Sequence, residues 1–180
     1  LRMSKATGYS LWLIPYSKNC ELLGKIISQA SQTYSTPSFE PHITLIGELA
    51  ITDRASVIAK TEKLVTKLSE LHANLNSVNQ TDHFFMSLFL TAEQENNLNI
   101  ANTHAREIFM RQGDPKFFPH LSLVYGDLSG DAKAEISSKI ADILPLSVQL
   151  DKLRLIRSEG ETRDWYSVRE YYLNKGNKGV

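Results

Sequence analysis

The chain has 180 residues, 42% of them hydrophobic, enough to bury a core as one domain, and its 20 Lys and Arg balance 20 Asp and Glu. Zero net charge provides no whole-protein field for a long nucleic acid, the single Cys20 excludes an intramolecular disulfide or a multi-thiolate site, and no apolar run nears the ~20 residues that span a bilayer. A small ligand or a single nucleic-acid end, no membrane, a reducing cytoplasmic setting and a monomer are therefore expected.

No apolar h-region follows the basic start, so no secretory signal is read there, and Leu1 and Arg2 ahead of Met3 read as a cloning scar. From Tyr9 to Tyr16 the β-formers predict a strand, and Leu22, Leu23, Ile26 and Ile27 recur at helical spacing. A strand through His42 follows, with Thr52 or Asp53 available to cap the next helix, marked by Leu64, Val65, Leu68 and Leu71. Ala73 to Asn79 closes the first half as a strand. The second half repeats the order: a strand from His83 to Leu90, a helix on Leu98, Ala101, Ala105, Ile108 and Phe109, and a strand through His120. After turns at Gly126-Asp127 and Ser129-Gly130-Asp131 come a helix on Ile136, Ile140, Ile143 and Leu144 that stops at Pro145, a strand from Ser147 to Arg157 and an added strand from Trp165 to Leu173.

The duplication reaches single residues. Phe39-Glu40-Pro41-His42-Ile43-Thr44-Leu45-Ile46-Gly47-Glu48-Leu49 matches Phe118-Pro119-His120-Leu121-Ser122-Leu123-Val124-Tyr125-Gly126-Asp127-Leu128. The predicted fold is α+β: two pseudosymmetric lobes, each a small, mainly antiparallel sheet with helices on its outer face, and a catalytic groove between them. Residues 1–180 form one bilobal domain with halves near 8–82 and 83–175, strand exchange between them being allowed.

Residues i and i+2 of a strand share a face, so His42 sits beside Thr44 and His120 beside Ser122. An imidazole moves protons near neutral pH and a hydroxyl donates to an anionic oxygen, so two such pairs facing one groove suit a phosphodiester. Hydrolysis needs a base for water, an acid for the departing alkoxide and donors for the charged oxygens. His42 and His120 fit the first two roles, and Thr44 and Ser122 the third. No metal or other cofactor is expected, because the i+2 positions carry hydroxyls and the nearest carboxylates are Glu40 and Asp127. A serine-hydrolase reading fails because Ser122 lies within a strand and not at a nucleophile elbow.

At these motifs the chain resembles the two-histidine phosphoesterase superfamily and, within it, the cyclic phosphodiesterases of plants and fungi. Tyr9-Ser10-Leu11-Trp12-Leu13-Ile14-Pro15, both histidine motifs, Phe84-Phe85-Met86-Ser87-Leu88-Phe89-Leu90 and Trp165 carry the likeness across nearly the whole chain. The resemblance implies metal-independent hydrolysis of nucleoside 2′,3′-cyclic phosphates to 2′-phosphates and of ADP-ribose 1″,2″-cyclic phosphate, a product of tRNA splicing, to ADP-ribose 1″-phosphate. It makes His42 and His120 the catalytic pair and Thr44 and Ser122 the phosphate ligands. His120 is assigned to water activation and His42 to leaving-group protonation. The disulfides that plant members use have no counterpart here, so redox control is not expected.

Trp12, Tyr125 and Phe85 are candidates for a wall on which base or ribose rests, with core packing the alternative for each. Alternation sets Tyr125 opposite His120 and Ser122, so only its place at the strand end can bring it into the groove. His72, His83 and His104 lack a hydroxyl at i+2 and read as surface or strand-end residues, and Lys116, Arg154 and Arg157 as solvated charges. Two rival functions remain open: an RNA-end enzyme of the same superfamily, such as a 2′–5′ RNA ligase-like protein or an exonuclease, and a non-catalytic nucleotide-binding module.

Overall fold

The β-rich run Tyr9–Pro15 forms β1, and every one of its residues is buried because the strand has a neighbour on each edge and packing on both faces. Leu11 and Leu13 enter the main core, while Trp12 and Ile14 point the other way into a small cluster with Ile156. These positions come from a computed structural model that describes residues 5–93 and 96–175. The reading of no secretory signal and of a cloning scar falls on residues 1–4, which lie outside the described residues.

The remaining elements are α1 (Ser17–Tyr34), β2 (Ile43–Leu49), α2 (Arg54–Val65), β3 (Leu71–Gln80), β4 (Leu88–Ala92), α3 (Asn96–Phe109), β5 (His120–Val124), α4 (Gly130–Ala141), β6 (Leu146–Arg157) and β7 (Tyr166–Tyr172). The strands lie in the order β1-β2-β5-β4-β3-β6-β7, all antiparallel, and β6 also pairs with β1. The order is itself twofold. β1, β2 and β3 correspond to β4, β5 and β6, and each half's third strand crosses to the first strand of the other half, β3 onto β4 and β6 onto β1. The helices cross as well, α1 packing on β5 and α3 on β2. The two halves thus form the α+β architecture of two related lobes with helices outside.

Local chemistry explains the element ends. Asp53 caps α2 by accepting from the backbone N–H groups of Ala55 and Ser56, and Ser129 caps α4 by accepting from Ala132. Gly8, at φ +73°, is needed where β1 meets the end of β2, since a Cβ there would lie 2.1 Å from the Leu49 carbonyl oxygen. Two helical patterns overrun their helices: α2 ends at Val65 and α4 at Ala141, so Leu68, Ile143 and Leu144 pack from loops and Leu71 from β3.

The strand expected from His83 to Leu90 is corrected. Phe84–Met86 form a 3-10 turn, and β4 starts only at Leu88. The backbone of the turn finds partners off the ladder: the Phe84 carbonyl accepts from the Gly126 N–H, that of Phe85 from the Ser122 hydroxyl and that of Met86 from the Thr81 hydroxyl. Among the described residues, no helix is long and apolar enough to cross a membrane.

Candidate active site

β2 and β5 meet at one pair, Ile43 opposite Leu121, which are equivalent residues of the two repeats. Antiparallel pairing at equivalent residues places the pseudo-twofold axis there, so His42 falls opposite Ser122 and Thr44 opposite His120. Ile43, Leu45, Leu121 and Leu123 are at most 1% exposed beneath the helices, which turns His42, Thr44, His120 and Ser122 to the opposite face. A one-residue slip would put leucines in the groove and imidazoles in the core, so burial of these four side chains, worth roughly 1.5–3 kcal/mol each, fixes the register. The Asn102 side-chain amide of α3 also donates to the Leu45 carbonyl, tying β2 to its covering helix.

His42, Thr44, His120 and Ser122 line one cavity of about 400 Å³ together. That volume lies within the ~300–1,000 Å³ range of small-molecule sites. Each ring makes the same backbone contact through Nδ1. His42 Nδ1 lies 2.6 Å from the Glu40 carbonyl oxygen and His120 Nδ1 lies 2.9 Å from that of Phe118. A carbonyl only accepts, so both rings carry their proton on Nδ1 when neutral, leaving an unprotonated Nε2 that can take up a proton.

Each ring also has an aromatic support from the neighbouring strand. Trp12, opposite Thr44 on β1, stacks on His42 with centroids 3.6 Å apart and planes 6° apart. Phe89, opposite Ser122 on β4, meets His120 edge-on at 5.5 Å. Phe89 is the repeat's counterpart of Trp12 and was missed in the sequence; aligning strand partners across the duplication would have found it.

Burial, and then the charge of His120, lowers the His42 pKa to about 3, and burial lowers that of His120 too, partly offset by its hydrogen bond to Phe118. Burial raises the Tyr125 phenol well above its ordinary value. Tyr125 follows the last residue of β5, so strand alternation no longer governs it, and its hydroxyl lies 3.4 Å from His42 Nε2. Thr44 faces the cavity, whereas the Ser122 hydroxyl donates to the Phe85 carbonyl at 2.9 Å and helps hold the 3-10 turn.

Trp12, Phe85 and Tyr125 all line the cavity, joined by Trp165, which contacts all three rings at centroid distances of 6.0, 5.5 and 6.2 Å respectively. One face of Trp12 is occupied by His42, so the indole supports the imidazole before it can meet a substrate. Ser10 and Ser158, hydrogen-bonded to each other, and Glu48 were also not foreseen as lining residues. His83, read from sequence as a surface residue, is exposed but stands at the mouth of this cavity. His72 and His104 do not line it. Arg154 is corrected: its side chain is only 18% exposed and is ion-paired to Glu40 and Glu170. Among the described residues, no group of three or more His, Cys, Asp or Glu side chains is arranged to hold a metal ion.

Residues 7–173 match the family profile described as "Cyclic phosphodiesterase-like protein". A protein described as "Cyclic phosphodiesterase" from Arabidopsis thaliana is 25% identical over 174 residues, covering 92% of this chain and 95% of its own length. Among solved structures, Escherichia coli LigT complexed with 3′-AMP superposes with a TM-score of 0.60 at 14% identity, over 96% of this chain and 100% of that one. The protein TT0787 of Thermus thermophilus gives 0.60 at 15% identity, again over 96% and 100%. At these identities the structural likeness is one of fold.

Proposed function

The chain belongs to the cyclic phosphodiesterase-like protein family and is a phosphodiesterase, and we propose that it hydrolyses nucleoside 2′,3′-cyclic phosphates to nucleoside 2′-phosphates by paired-histidine acid–base catalysis. The observation that carries the reading is the meeting of two imidazoles, each anchored through Nδ1, with Thr44 and Ser122 on one cavity face.

Burial favours the reverse of the acid and base roles expected from sequence. We assign the base role to His42 because it is the more deeply buried ring and its unprotonated Nε2 reaches the cavity, and the acid role to His120 because it is the more solvent-accessible ring and so the one better placed to carry a second proton. In the reaction, His42 Nε2 takes a proton from water as the oxygen bonds to phosphorus. The phosphorus–O3′ bond breaks, and His120 Nε2 gives its proton to O3′. Thr44 donates to a non-bridging oxygen whose charge grows in the transition state.

Among the described residues, no lysine or arginine lines the cavity, and Glu48 is its carboxylate. A monoanionic mononucleotide therefore suits it better than ADP-ribose 1″,2″-cyclic phosphate, whose pyrophosphate adds two charges, or a long RNA, whose binding draws on several phosphate contacts.

The test is turnover of 2′,3′-cyclic AMP and ADP-ribose 1″,2″-cyclic phosphate in excess EDTA, with phosphorus NMR of the product, for the parent, His42→Ala and His120→Ala. Turnover to the 2′-phosphate that falls by about 10²–10⁴ in each variant supports the reading. Turnover lost to EDTA, or retained in both variants, overturns it. A substrate with sulfur in place of O3′ separates the roles, since a thiolate leaves without an acid: His120→Ala should recover on it and His42→Ala should not.

A further inference from the structure

Although the two motifs are equivalent in sequence, they are not equally held. Counted from the histidines, Glu40 stands where Phe118 stands, and both supply the carbonyl that accepts from the ring Nδ1–H. Phe118 is 45% exposed and rests against His120 as a stacked ring. Glu40 is instead fixed through its side chain. Its carboxylate pairs with Arg154, which also binds Glu170, donating from Nε at 2.9 Å.

Arg154 comes from the same row of the sheet as Trp12. It lies opposite Trp12 on β1 and opposite Glu170 on β7, and facing residues of antiparallel strands project from one side. The row Trp12–Arg154–Glu170 therefore supports the 40–42 segment at two points, with the indole under the His42 ring and the guanidinium on the Glu40 carboxylate. A smaller cavity of about 210 Å³ on the far side of the indoles is lined by Trp12, Glu40 and Arg154 together, which places all three on that side. The guanidinium carries two carboxylates, and a planar fork of five donors can serve both where an ammonium serves one. Burial pushes the Glu170 carboxyl up, but Arg154 and Lys152 outweigh it and hold the group below its ordinary value, so it stays charged beside Arg154.

We propose that Arg154 and Glu40 are positioning residues for His42: by fixing the residue whose carbonyl binds Nδ1–H, they hold the His42 ring in one tautomer and orientation with Nε2 toward the cavity. In the second motif an aromatic residue, Phe118, takes the place of the ion-paired Glu40. This role rests on the phosphodiesterase reading only for its kinetic consequence, since ring orientation is read without turnover.

The experiment compares the parent with Arg154→Gln, Glu40→Gln and Arg154→Lys, using Arg157→Met as a control on the same strand; Arg157 pairs with Glu159 and does not line the cavity. Ring ¹⁵N spectra with selective histidine labelling should show the Nδ1–H form of His42 in the parent. Arg154→Gln and Glu40→Gln should move the His42 nitrogen signals toward a mixture while those of His120 stay in place. On 2′,3′-cyclic AMP, kcat should fall about 10- to 100-fold with KM within about twofold, the scale on which loss of an orienting partner acts. Arg154→Lys should recover part of kcat, and Arg157→Met should match the parent. Glu40→Gln keeps the test available where Arg154→Gln does not fold. Unmoved His42 signals in a folded variant overturn the proposal whatever the kinetics, and so does unchanged kcat with moved signals. A parent that turns over no cyclic phosphate overturns the proposed function, and the spectra then decide the positioning role alone.

Discussion

The burial of His42 makes this side chain a source of acid sensitivity. Its pKa is lowered from 6.5 to about 3 in the folded protein, mainly by burial and then by the charge of His120. As pH falls below 6.5 the unfolded chain takes up a proton at this ring that the folded chain refuses. The unfolded state then binds more protons, so stability drops through the window from 6.5 to about 3 and is unaffected by this ring above it. Each pH unit of that window is worth ~1.4 kcal/mol, so lowering pH from 7 to 4.5 costs roughly 3 kcal/mol at this residue and the full window ~5 kcal/mol. Against a total stability of about 5–15 kcal/mol, such a loss is large. The assay is urea unfolding of the parent and His42→Gln at pH 7, 5.5 and 4.5. Carboxylates and His120 titrate in both proteins, so the difference between the two curves isolates His42. The parent's stability relative to the variant should fall by about 3 kcal/mol between pH 7 and 4.5. Parallel curves would refute the argument, since they would mean that the folded protein protonates His42 as readily as the unfolded chain does.

Because the Ser122 proton is directed at the Phe85 carbonyl while Thr44 faces the cavity, Thr44→Val should lower kcat/KM by about 10- to 100-fold, the value of a hydrogen bond to a charged group. Ser122→Ala should show the smaller kinetic loss but a stability cost of about 1–3 kcal/mol in urea unfolding, from the carbonyl it leaves unpartnered. Trp12→Ala removes a buried indole stacked on His42 and should cost about 3–5 kcal/mol in the same unfolding assay, whereas Trp12→Phe should keep most of the stability and kcat. His83→Ala, at the cavity mouth, should raise KM and leave kcat within about twofold in steady-state assays. An oligonucleotide ending in a 2′,3′-cyclic phosphate should be cleaved no faster than the mononucleotide, with a log–log salt slope of kcat/KM shallower than about −1, because no lysine or arginine among the described residues lines the cavity.

What the sequence disclosed and what it concealed follow from the range over which each signal acts. His42, Thr44, His120 and Ser122 were legible because strand alternation is local and the duplication supplied a second copy; β2 and β5 then meet at the repeat's own equivalent pair, Ile43 and Leu121. The strand expected at Phe84–Met86 failed because its backbone partners are Ser122, Gly126 and Thr81, and the first two lie more than thirty residues away. Arg154 looked like a solvated charge for the same reason, since Glu170 is brought to it by the pairing of β6 with β7, and Glu40, just ahead of β2, by the pairing of β1 with both β2 and β6. Those long-range contacts also make the site asymmetric. Glu40 and Tyr125 are the two residues that interrupt the match between the repeats, and both end at His42, one through its carbonyl at Nδ1 and the other through its hydroxyl at Nε2. In the proposed hydrolysis one histidine acts as base and the other as acid, and these departures from the repeat are where the surroundings of the two rings differ.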